Sequence, residues 1–78
     1  MLWFWPPVCV KELATGHTVG VKSVETAIEQ MQTWPRKGPK LKAAYPICYG
    51  VIEGKHTVDE ARLAFEAAAK EAKVWRAE

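Results

Sequence analysis

The apolar residues of this chain change period once. From Leu2 to Val21 they alternate, and from Val24 onward they recur every three or four positions. Alternation places side chains on one face of a strand, and the longer period places them on one face of a helix. Trp3 and Trp5 alternate with Leu2 and Phe4, and a strand is expected from Val8 to about Leu13. Pro6 and Pro7 donate nothing to a ladder. The aromatic arm and that strand are therefore expected as separate pieces, or as one edge strand with a break. Gly16 in "ATGH" suits a turn, and "HTVGVKS" resumes the alternation through Val19 and Val21. Together these segments predict a β-hairpin.

Ser23 is the expected N-cap of a first helix, with Glu25 favourable in its first turn. Val24, Ala27, Ile28, Met31 and Trp34 hold helical spacing, and Pro35 disfavours the α conformation at Trp34 and ends the helix there. A second face runs through Leu41, Ala44, Tyr45, Cys48, Val51 and Ile52, with Pro39 in the first turn. Inside it, Pro46 would cost ~3 kcal/mol and Gly50 up to ~1 kcal/mol. A kink or interruption is expected near Pro46, and Gly54 ends the helix. Thr57 and Glu60 then form a T-x-x-E capping box. Val58, Ala61, Phe65, Ala68, Ala72 and Trp75 carry one stripe nearly to the end of the chain, with Glu66 and Lys70 as an exposed i,i+4 pair. The fold class is α+β: one domain over residues 1–78, an N-terminal β-hairpin packed against three helices in the order β-β-α-α-α.

Composition narrows the function classes. The chain has 78 residues, 49% of them hydrophobic and 26% charged, which is globular rather than disordered composition. A chain this short buries roughly 60–65% of its unfolded surface, so large side chains matter to its stability. Four Trp fit that need. A net charge of +2 is too small for a dedicated nucleic-acid binder. The positive excess sits in "RKGPKLK", where Arg36, Lys37, Lys40 and Lys42 have no acidic neighbour. The apolar start "MLWFWPPV" lacks the basic region and cleavage site of a secretory signal, and no run approaches the ~20 residues of a membrane span. A cytoplasmic protein is expected, with Cys9 and Cys48 both as buried thiols.

Several stretches together resemble one family. They are "PPVCV" after an aromatic start, "VKSVETA" entering the first helix, "WP" closing it, "KGP", "AAYPICYGVIEG" and "ARLAFEAAAKEA". The chain resembles the short alphaproteobacterial proteins grouped as domain of unknown function 982. Pro46 departs from that pattern, standing where an ordinary helix former is expected. The resemblance implies a compact cytoplasmic domain, and it carries over no activity and no functional residues.

Cys9, His17, Cys48 and His56 lack the close pairing of zinc ligands, so no metal or cofactor is expected. Cys48 has no base at helical spacing, and Asp59 and Glu60 open a helix where acids are favourable for dipole reasons alone. No catalytic constellation and no small-molecule substrate is implied. Arg36, Lys37, Lys40 and Lys42, flanked by Trp34, Tyr45 and Tyr49, are the candidate nucleic-acid contacts, set against the plainer expectation that all four cations stay in water on a connecting loop. The leading expectation is a protein-interaction or self-associating domain, a homodimer or a bound protein partner, with Leu2, Trp3, Phe4 and Trp5 at the interface.

Overall fold

The computed structural model describes residues 2–35 and 37–76. Its elements are β1 (Trp3–Lys11), β2 (Thr18–Ser23), α1 (Val24–Thr33), α2 (Pro39–Ile52) and α3 (Val58–Glu71). This is the α+β arrangement of a hairpin followed by three helices.

The hairpin accommodates Pro6-Pro7 through a bulge. β1 and β2 pair antiparallel, with Val8 opposite Val21 and Trp3 opposite Ser23. Between those pairs β1 advances five residues (3 to 8) while β2 advances two (23 to 21). The extra residues bulge out of register, where neither proline is asked for a ladder N–H. The Trp5–Pro6 peptide bond is cis. The arm and the strand are thus one element with a break, not two pieces. β1 ends at Lys11 rather than near Leu13, because Glu12 closes the turn: its N–H donates to His17 O at 2.8 Å, and its carbonyl accepts from Gly16 N–H at 2.7 Å.

The helices begin largely as their caps predict. Ser23 Oγ accepts from Thr26 N–H at 3.2 Å, and Thr57 and Glu60 form the reciprocal capping box at the start of α3. α2 runs from Pro39 through Pro46 to Ile52 without interruption. Buried Leu41 and Ala44 anchor it before the proline, and Cys48 and Val51 after it. Both halves are therefore held on the core while one helical hydrogen bond is forgone. Ile52, expected on that face, is half exposed.

The end of α3 departs from its stripe. The helix stops at Glu71, and Lys73 takes a left-handed φ of 62°. Lys73 N–H donates to Lys70 O at 3.1 Å and Val74 N–H to Ala69 O at 3.0 Å, the two bonds of a Schellman turn. The chain then returns beside β1. Lys11 N–H donates to Val74 O at 2.7 Å, Arg76 N–H donates to Cys9 O at 2.8 Å, and Trp75 sits opposite Val10. Trp75 is therefore in an extended segment, and its helical spacing was coincidental. Val74 is buried in its place.

The core centres on three aromatic rings. Phe65 lies 5.6 Å from Trp34 in a stacked arrangement and 6.1 Å from Phe4. Burying these rings on one another adds quadrupole-directed contact to their area.

Candidate functional site

The aromatic arm divides between core and surface. Leu2 O accepts from Val24 N–H at 3.0 Å, which ties the arm to the start of α1. Phe4 points inward and is 2% exposed. It is thus a core residue, contrary to its expected place at an interface. Leu2 is half-buried against the same core. Trp3 and Trp5, the alternate residues, are 55% and 82% exposed. Strand alternation puts the two indoles on the face opposite Phe4.

The basic stretch is only partly free. Arg36 lies outside the described residues. Lys37 Nζ donates to Met31 O at 2.9 Å and Gln32 O at 3.3 Å, so it satisfies carbonyls at the end of α1. Lys37 nevertheless stays exposed, as expected for the cations of this loop. Lys40 and Lys42 are exposed at the start of α2. Trp34 is buried and offers no face for stacking. Tyr45 and Tyr49 stack with centroids 6.4 Å apart, and Tyr49 is half exposed. Burial, followed by the neighbouring Tyr49 and Cys48, raises the Tyr45 phenol above its ordinary pKa.

The cysteines and histidines are dispersed. Cys9, expected to be buried, is only half-buried on β1, because alternation puts it on the face opposite buried Val8 and Val10, and His17 is exposed in the β1–β2 turn. Cys48 is buried beneath α2, where burial pushes its thiol up to about 11. His56 Nδ1 lies within hydrogen-bond distance of Glu60 Oε2, at 3.2 Å. Among those residues, no group of three or more His, Cys, Asp or Glu is placed to hold a metal. Hydrogen bonds from the Thr57 backbone, then the His56 side chain, then the Thr57 hydroxyl lower the Glu60 pKa.

Two clefts lie at the return of the chain after α3. One, of ≈ 250 Å³, separates the proline bulge from α3 and the end of the chain. Arg62 and Trp75 line it, and Arg62 Nε donates to Pro6 O at 2.7 Å. Lys70 Nζ stands 4.7 Å from the Trp75 ring centroid, a cation–π contact in place of the ion pair expected with Glu66. The second cleft, of ≈ 290 Å³, is lined by Leu13, Trp34, Pro35, Ala72, Lys73 and Val74. Trp34 Nε1 is buried without a hydrogen-bond partner among the described residues. Periodicity gives no sign of this cleft, because its walls come from a turn, a helix stop and a Schellman turn.

A family model described as Protein of unknown function (DUF982) matches residues 6–75. The chain belongs to that family. No curated protein and no solved structure matches it. The DUF982 match contains all six residues of the second cleft, whereas Trp3 and Trp5 precede it. No helix is long and apolar enough to cross a membrane among the described residues.

Proposed function

We propose that the chain is a small non-catalytic interaction domain that associates with a second copy of itself through Trp3 and Trp5. The supporting observation is exposure combined with order. The two indoles are 55% and 82% exposed, yet their strand is tied down by the Val24–Leu2 hydrogen bond and by buried Phe4. Exposed apolar groups of this kind mark interfaces, and a pre-ordered strand has less conformational freedom left to lose on binding. β2 pairs only with β1 among the described residues, which leaves a ladder edge that two copies can share about a twofold axis. The reading is of a cytoplasmic protein, where Cys9 and Cys48 remain thiols.

Light scattering across a dilution series tests it. The expected mass approaches twice the 8.8 kDa of one chain at high micromolar concentration and falls on dilution. A Trp3→Ser/Trp5→Ser variant should stay at the lower mass throughout. A parent protein that is strictly monomeric over the same range overturns the proposal.

A second reading, nucleic-acid binding, keeps one specific support. Lys42, Tyr45 and Tyr49 share a face of α2 by their i, i+3, i+7 spacing, with the tyrosine rings stacked and Lys40 exposed nearby. Cations attract phosphate and aromatic rings stack on bases. Titration of labelled single- and double-stranded DNA and RNA at two salt concentrations should then show affinity that falls with salt. Binding unchanged by Lys40→Ala/Lys42→Ala rejects this surface.

A further inference from the structure

We propose that the outer face of the β1–β2 sheet, which carries Trp3, Trp5, Lys11, Lys22 and Arg76, docks reversibly on the surface of an anionic lipid bilayer. The inference goes beyond self-association. A second copy and a bilayer compete for the same two indoles, and docking needs only one chain.

The sheet has a covered face and an open one. Phe4, Val8, Val10 and Val21 are buried on the covered face, where Phe4 meets Phe65 of α3. Alternation puts Trp3, Trp5 and Lys11 of β1 and Lys22 of β2 on the other face. Arg76 joins them. Trp75 is opposite Val10, and Arg76 N–H donates to Cys9 O at 2.8 Å, so Arg76 sits beside Cys9 on the open side. Gly20, opposite Cys9 on β2, adds no side chain and leaves the middle of this face flat. Trp3, Trp5, Lys22 and Arg76 are exposed, and Lys11 is half-buried.

Charge and ring chemistry select the occupant. Lys11, Lys22 and Arg76 are the only charged residues of β1, β2 and residues 74–76, so these segments hold three cations and no carboxylate. Each Lys or Arg close to an anionic bilayer strengthens binding about fivefold, and three together about a hundredfold. Trp favours the membrane–water interface, where the ring is apolar and its N–H stays wet. At 82% exposure the Trp5 ring rests on little of the fold, so an interface can bury nearly all of it. Single-stranded nucleic acid also joins phosphates to stacking partners. A base, however, covers one face of a ring, and three cations hold few phosphates. The bilayer therefore gains more from this face than a nucleic acid does.

The test is co-sedimentation of the full chain with vesicles of phosphatidylcholine containing about one-third phosphatidylserine, beside vesicles of phosphatidylcholine alone. The chain is kept at a concentration where light scattering reads a single chain, so absence of the dimer and absence of docking are separate results. At low ionic strength the anionic vesicles should bind about a hundredfold more tightly, and added salt should erase the difference. Trp3→Ser/Trp5→Ser should weaken binding to both kinds of vesicle. Lys11→Gln/Lys22→Gln/Arg76→Gln should reduce anionic binding to the neutral level, and exposed Lys22→Gln alone should cost about fivefold. Lys40→Ala/Lys42→Ala, on α2, should leave binding in place. Equal binding to the two vesicles, undiminished binding of the triple variant, or a loss with the α2 variant as large as with the triple one overturns the proposal. Displacement from the vesicles by a single-stranded oligonucleotide at equal phosphate also overturns it and reassigns the face to nucleic acid.

Discussion

The carboxylate of Glu71, the last residue of α3, accepts the backbone N–H of Lys40 at the start of α2, at 3.1 Å and 3.3 Å from its two oxygens. α2 has Gly38 as its N-cap, no side-chain cap and no acid in its first turn. A helix N-terminus leaves N–H groups unsatisfied and favours negative charge. Glu71 therefore supplies across the fold what α2 lacks locally. Gly38 makes room for it, since a Cβ there would collide with Glu71 Oε1.

Glu71→Ala should accordingly cost ~1 kcal/mol, the usual loss for a helix cap. Gly38→Ala should cost a similar amount by displacing the carboxylate. The double variant should cost less than the sum, because both changes remove one interaction. Urea denaturation of the four proteins checks this, and strict additivity would show that Gly38 and Glu71 act independently.

Phe65 touches both Phe4 and Trp34 at the centre of the core. Phe65→Ala should cost ~3–5 kcal/mol, a large share of the ~5–15 kcal/mol available to a domain. Lys37→Ala should cost only ~0.5 kcal/mol through the lost bonds to the end of α1, and Lys40→Ala/Lys42→Ala should stay within ~0.5 kcal/mol. Chemical denaturation orders the three. A tolerated Phe65→Ala beside an unfolded lysine variant would reject the core assignment.

Gly50 has a tertiary role that its helix position hides. It is buried, its carbonyl accepts from Lys55 N–H at 2.7 Å and His56 N–H at 3.2 Å, and an added Cβ would collide with His56 Cδ2. Helix propensity predicts that Gly50→Ala stabilises by up to ~1 kcal/mol. Overpacking against the imidazole predicts a loss of ~1–3 kcal/mol, and that loss is the expected outcome. A raised denaturation midpoint would show that His56 yields freely.

Glu60 should make stability fall in acid. Its folded-state pKa is lowered, chiefly by the Thr57 backbone hydrogen bond and then by His56. Its contribution is therefore present above the ordinary carboxylate value of about 4.3 and is lost as pH falls through the lower folded value. Denaturation midpoints measured downward from about pH 5 should drop less in Glu60→Gln than in the parent across that window. Parallel curves would show that the capping box is insensitive to the charge.

The sequence by itself determined the features whose partners are close along the chain. Ser23 and Thr57 cap helices through N–H groups three residues away, and Pro35 acts on the residue before it. Gly16 turns the hairpin with its own positive φ of 77°. Such signals are local stereochemistry and survive without knowledge of the fold. Only the tertiary structure decided the rest. Alternation puts Phe4 opposite Trp3 and Trp5, but Phe65, far along the chain, decides which side is inward. The stripe of α3 points to Trp75 as helical, yet β1 offers Val74 and Arg76 ladder bonds that an extended segment can make and a helix cannot. Lys37 is an exposed cation in the sequence pattern, and only the fold places the end carbonyls of α1 within its reach. Periodicity encodes which residues share a face, and the distant partner that covers that face decides what the face is for.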